Sequence, residues 1–214
     1  MNIGFYGHSN CAYRSNDSFI DLISTYLGAN IVNTGTRQGS EERVLYELKK
    51  TKKIDVAIIF HCNPSNLFLP GCDRDIGISN MSQSRSEYMF NKWDGFAEIH
   101  HSKFLQKFKS AENFWNSFQT YKEYFYDPDL QVNRFNGALL QIDSYIKFKS
   151  IKCIHVVENI PSWFTFSSGM VDYEIMKIIK NNPQESGTFF VNCISKIGNE
   201  LVANKLIELI HRGS

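Results

Sequence analysis

At 214 residues the chain has the length of a single domain, and its composition, 43% hydrophobic and 21% charged with 5 prolines, suits a packed globular fold and excludes a disordered or collagen-like one. Lys and Arg (23) balance Asp and Glu (22) to a net charge of +1, which leaves no broad basic field for nucleic acid or an anionic membrane surface. The opening MNIGFYGHSN has neither the basic start nor the apolar run of a leader peptide, and no stretch approaches the roughly 20 apolar residues of a membrane span, so a cytoplasmic location is expected.

Asn2–Tyr6 is a short apolar run stopped by Gly7, the pattern of a buried strand and a turn. Between Asp17 and Leu27, Phe19, Leu22, Ile23 and Tyr26 recur at helical spacing, and Gly28 stands where a helix ends. Ile31–Val32 is a second strand. Ser40 then reads as an N-cap, with Glu41 and Glu42 in the first turn, Lys49 and Lys50 in the last, and Val44, Leu45 and Leu48 as the apolar face. Ile54–Phe60 is a nearly continuous apolar run, as in a strand covered on both faces. From about 84 to 150 the pattern turns helical. Phe104, Phe108, Trp115, Phe118 and Phe125 lie along one segment, and a second helix opens at Asp127-Pro128 and carries Val132, Phe135, Leu139, Ile142 and Ile146. Strand patterns resume at Cys153–Val157 and Thr188–Val191, and Ser195 opens a closing helix with Ile197, Leu201, Val202, Leu206 and Ile210.

Alternating strands and helices predict βαβ units, hence a three-layer α/β/α fold with a mostly parallel five-stranded sheet. Residues 1–214 form one domain, and the aromatic-rich block at 84–150 is a helical insertion in it. The five cysteines (Cys11, Cys62, Cys72, Cys153, Cys193) are odd in number and lack the spacing of a disulfide scaffold, so free thiols are expected.

Ligands of an open parallel sheet bind at the carboxyl ends of its strands. The loops there carry Gly7-His8-Ser9-Asn10-Cys11, Asn33-Thr34-Gly35 through Gly39-Ser40, His61-Cys62-Asn63-Pro64 and Asn192-Cys193-Ile194-Ser195. These blocks resemble those of the SGNH, or GDSL-type, hydrolases, a family of serine esterases and carbohydrate deacetylases on a flavodoxin-like sheet. Gly7-His8-Ser9 stands where the family has Gly-Asp-Ser. NTGTRQGSEERVLYEL is similar to the second block, with Gly39 the best match to the glycine that helps bind the oxyanion and Gly35 the fallback. IDVAIIFHCNPS supplies Asn63 for the third. The resemblance covers residues 1–70 and 186–210.

The last family block is Asp-x-x-His followed by Ser-x-x-Gly-Asn. Here Ser195, Gly198 and Asn199 fit, so Cys193 falls at the position of the general base and Phe190 at that of its orienting aspartate. The resemblance implies an ester hydrolase with Ser9 as nucleophile and Gly39 and Asn63 as oxyanion donors. Its substrate would be a small-molecule or carbohydrate acyl ester, and no cofactor or metal is implied. A thiol with a pKa of about 8.5 is a poor proton shuttle for an alcohol, and loss of one triad member removes on the order of 10⁴–10⁶ in turnover. The site as written is therefore an impaired one unless His8 or His61 replaces the base, the plainer reading of each being a surface or hydrogen-bonded histidine; the alternative is a protein that keeps the fold as a binding or structural module.

Each residue also has a plainer reading. Ser9 serves as a cap or turn serine, Asn63 as a turn residue before Pro64, and the glycines simply permit positive φ. A zinc site drawn from His8, Cys11, His61, Cys62, Cys72 and Cys193 is the remaining alternative, and no paired Cys-x-x-Cys spacing supports it. The aromatic block, and Trp163-Phe164-Thr165-Phe166 after Pro161, act either as internal packing or as a lid or dimer surface.

Overall fold

The structure is a computed structural model, and it describes residues 1–7, 11, 18–35, 39–62, 64, 66–67, 76–77, 83–84, 110–158, 160–183 and 194–212. Strand β1 (Asn2–Gly7) leads to helix α1 (Phe19–Leu27), β2 (Asn30–Asn33), α2 (Glu41–Lys50) and β3 (Val56–Phe60). A two-stranded antiparallel ladder follows, β4 (Asn66–Leu67) with β5 (Ile76–Gly77). Then come α3 (Ala111–Tyr124), α4 (Pro128–Lys149), β6 (Lys152–Val156), β7 (Met170–Asp172), α5 (Glu174–Asn181) and α6 (Lys196–Arg212).

The helix ends follow the local chemistry that the sequence supplies. Ser18 Oγ accepts the Asp21 amide at the start of α1, and Gly28 closes that helix at φ 59°. Ser40 Oγ accepts the Arg43 amide, so α2 begins at Glu41 as expected. Asp127 accepts the amides of Asp129 and Leu130 to open α4. Each such cap is worth about 1 kcal/mol against alanine, because it satisfies amides that the helix itself leaves orphaned.

The main sheet has the order β2-β1-β3-β6-β7, with every neighbouring pair parallel. Counting its own strands only, that is order 2-1-3-4-5, the doubly wound arrangement whose direction reverses between β1 and β3. Alternation along the strands sorts the core into two layers. Ile3, Phe5, Ile58, Phe60, Ile154 and Val156 join α1 and α6 through Phe19, Ile23, Val202 and Leu206. Tyr6, Ala57, Ile59 and Cys153 join α2 and α4 through Val44, Leu48, Ile142 and Ile146. Gly4 belongs to the second layer, where the Tyr6 ring lies over it. A Cβ at Gly4 would come within 2.6 Å of that ring.

Several expectations change. The fifth strand of the main sheet is Met170–Asp172, too short to show a period in the sequence, while the predicted strand at 188–191 lies outside the described residues. Val132, Ile197 and Leu201 are exposed instead of buried. The inward stripe of α4 runs through Phe135, Ala138, Leu139, Ile142 and Ile146, and that of α6 through Gly198, Val202, Leu206, Leu209 and Ile210. In the aromatic block, Phe114 and Phe118 are buried, whereas Tyr124 and Phe125 are exposed.

Candidate active site at the carboxyl edge of the sheet

β1 ends at Gly7, which has φ 107° and lies beside Phe60 of β3. A Cβ there would sit 1.9 Å from the Phe60 carbonyl oxygen, so only glycine fits. From this edge, hydrogen bonds tie successive loops together. The Gly35 amide donates to the Cys11 carbonyl at 2.9 Å, Asn66 Nδ2 donates to the Gly39 carbonyl at 2.8 Å, and the Cys62 amide donates to Glu41 Oε1 at 2.6 Å. On the other layer, Asn199 Oδ1 accepts the Phe19 amide at 2.9 Å, and its Nδ2 donates to the Ile194 carbonyl at 3.1 Å. One side chain therefore joins the first turn of α1 to Ile194, two residues before α6. Ser195 Oγ accepts the Gly198 amide at 3.1 Å, and Gly198 is small because a Cβ would fall 2.4 Å from Ile194.

Beneath this edge runs a buried polar chain. Glu41 stands at the first position of α2, His61 directly follows β3, and His155 is the fourth residue of β6. The alternation of β6 turns His155 to the α2–α4 face while Ile154 and Val156 point the other way. Both Glu41 oxygens lie 3.2 Å from His61 Nδ1. His61 Nε2 lies 3.0 Å from His155 Nδ1, and His155 Nε2 lies 3.1 Å from the Ser168 carbonyl. Phe166 stacks on the His155 ring at 3.7 Å between centroids and also leans on His61 at 4.9 Å. Burial, and then the neighbouring charge of His61, push His155 down to about 3, so its ring is neutral.

The far end of the chain is anchored on α4. The Asp143 carboxylate accepts the amides of Ser167 and Ser168 at 3.1 Å and their hydroxyls at 2.6 and 2.8 Å. Burial alone would raise its carboxyl, but these four donors outweigh it and hold it below the ordinary range. The 160–168 segment is thus fastened to α4, with Phe164 packed on Phe135 and Leu139. Phe164 is buried and Phe166 partly buried against it, while Trp163 is exposed.

Of the four residues expected in the site, Gly39 is described: it is buried, immediately before the cap of α2. Ser9, Asn63 and Cys193 lie outside the described residues, as do His8, Cys72 and Phe190. Gly35, the fallback, is held by Cys11. His61 does not stand ready as a substitute base, because Glu41 and His155 occupy both of its ring nitrogens. Among the described residues, no group of three His, Cys, Asp or Glu side chains is arranged to hold a metal, and no helix is long and apolar enough to cross a membrane. The thiols of Cys11, Cys62 and Cys153 are buried, and burial raises those of Cys11 and Cys153 well above their ordinary value.

Sequence reasoning missed Glu41, His155 and Asp143 as one network. Glu41 was legible only as a helix-start acid. His155 left a trace, a lone ring with two titratable nitrogens inside the apolar run CIHVV, where any polar group must find partners.

No protein-family model and no curated protein matches the sequence. Among solved structures, a "putative lipolytic protein of G-D-S-L family" from Desulfitobacterium hafniense DCB-2 aligns over 97% of this chain and 98% of its own, at 12% identity and a TM-score of 0.37. The fold itself is that of a three-layer, doubly wound parallel α/β domain.

Proposed function

We propose that the protein is a serine ester hydrolase of the SGNH type, acting on the acyl ester of a small molecule or carbohydrate. In this reading Ser9 Oγ attacks the ester carbonyl while a base takes its proton, and the Gly39 and Asn63 amides hold the oxyanion. The alcohol leaves with that proton, and water then cleaves the acyl-serine to release the acid and restore Ser9. The observation that carries the reading is the reversal of strand order between β1 and β3. That switch point is where sheets of this kind bind ligands, and it is flanked by Gly7 and Phe60, the residues that lead into the Ser9 and Asn63 loops. The Asn199 bridge supports it from the other side by joining α1 to Ile194, the neighbour of Cys193.

Cys193 supports a second reading, a domain that binds such an ester without turning it over, since a thiol is a poor base for a serine hydroxyl. The test is Cys193→His, assayed on p-nitrophenyl acetate beside Ser9→Ala. The hydrolase reading expects at least a tenfold rise that disappears when Ser9→Ala is added, short of full activity because Phe190 cannot orient the new ring. A folded variant with no Ser9-dependent hydrolysis leaves the binding domain in its place.

A further inference from the structure

The buried polar chain carries more than packing, as a count of its donors shows. The Ser168 carbonyl can only accept, so His155 Nε2 bears a hydrogen. His155 is neutral, which leaves its Nδ1 bare; the Cys153 thiol stands 3.9 Å from it, and His61 Nε2, at 3.0 Å, has to donate because two bare ring nitrogens at that distance would repel. A neutral His61 would then turn the lone pair of Nδ1 toward two carboxylate oxygens at 3.2 Å, a repulsive contact in a buried site. One further proton has to lie between Glu41 and His61. Glu41 Oε1 takes the Cys62 amide at 2.6 Å, a charge-assisted length, and the residue occupies the first turn of α2, where the helix dipole favours an ionised acid. Both features assign the proton to the ring, as an imidazolium held by a carboxylate.

The position of this pair is what gives it a role. Glu41 follows Gly39 and Ser40 directly, and its carboxylate grips the peptide of Cys62, the residue before Asn63. We infer that Glu41, paired with a protonated His61, is a positioning residue that clamps the turn at Gly39–Ser40 to the end of β3 and so sets the spacing of the two oxyanion donors. This inference rests on the hydrolase reading for what the spacing serves, and on the described contacts for the clamp itself.

Glu41→Gln separates charge from geometry. The glutamine oxygen still accepts the Cys62 amide, and its NH₂ donates to Nδ1 of a neutral His61, so the hydrogen bonds survive without the extra proton. Glu41→Ala removes both bonds. Nitrogen-15 spectra at neutral pH are expected to show both His61 ring nitrogens protonated in the parent protein, and a bare Nδ1 with a protonated Nε2 in Glu41→Gln. A parent spectrum with a single neutral tautomer, or identical spectra in the two proteins, would overturn the assignment of the proton. In Ser9-dependent hydrolysis, Glu41→Ala should lower kcat at least tenfold with KM within threefold of the parent, and Glu41→Gln should recover most of that loss. Equal kcat in all three would overturn the positioning role. If the parent shows no Ser9-dependent turnover, the hydrolase reading fails separately. The clamp is then judged by the spectra and by amide exchange at Cys62, which must quicken tenfold or more in Glu41→Ala and stay slow in Glu41→Gln. Unchanged exchange would sink it, and a Glu41→Ala protein that does not fold leaves the parent-against-glutamine spectra to decide.

Discussion

Acidification should destabilise this protein through His155, by an amount that its surroundings set. In the unfolded chain a histidine takes up a proton near pH 6.5. In the fold His155 is completely buried under Phe166, beside His61, and is pushed down to about 3. Because the folded value is depressed, the stabilisation is fully present above pH 6.5 and is lost as the pH falls from there toward 3. Between pH 7.5 and 4.5 the unfolded chain gains this proton and the folded one does not, which amounts to about 2.5 kcal/mol. That figure depends mainly on the unfolded value, since a folded value anywhere below 4 changes it little. Urea unfolding at the two pH values, followed by tryptophan fluorescence, would measure the loss. His155→Gln, which keeps a donor for the Ser168 carbonyl but does not titrate, should lose about 2.5 kcal/mol less than the parent over the same interval. If the parent and the variant lose stability equally, to within about 1 kcal/mol, the account of His155 as a buried neutral ring is wrong.

Asn199→Ala leaves the Phe19 amide and the Ile194 carbonyl without their partner, and should cost about 1–3 kcal/mol in urea unfolding while loosening amide protection at the start of α1. Gly7→Ala must move the Phe60 carbonyl and adopt a strained φ, so it should cost more than about 3 kcal/mol, seen as a large drop in Tm or failure to give soluble protein.

The elements legible in the sequence were those whose signal is local. Ser40 and Asp127 cap their helices with side chains two or three residues from the amides they bind, and Gly28 ends α1 by its own backbone freedom. Ile54–Phe60 announced a central strand because both of its faces are covered; only its first two residues fall outside β3. β7 was not legible, because three residues show no period and their pairing with β6 is set by the sheet. For the candidate site, the order of the loops along the edge followed from the βαβ pattern, but the partners within it did not. Glu41 meets His61 across 20 residues, and His61 meets His155 across 94, and nothing in either local stretch encodes those distances. His61 read as either a substitute base or a hydrogen-bonded loop histidine, and the fold spends both of its nitrogens internally.

The division of the core into two layers has a consequence for the order in which the chain can assemble. The layer under α2 and α4 draws only on residues up to Cys153, so it can close once β6 has been made. The other layer joins Ile3, Phe5 and Phe19 at one end of the chain to Leu206 and Ile210 at the other, and the Phe19–Asn199 bond spans 180 residues. Closing so long a loop is entropically costly and slow. During synthesis α1 would therefore wait on an open apolar face until the final helix emerges, and pulse-labelled exchange should find β3 and β6 protected before α1. Protection of α1 first would refute that order. The apolar side of α1, exposed in the interval, is the part of the nascent chain most in need of shielding from its neighbours.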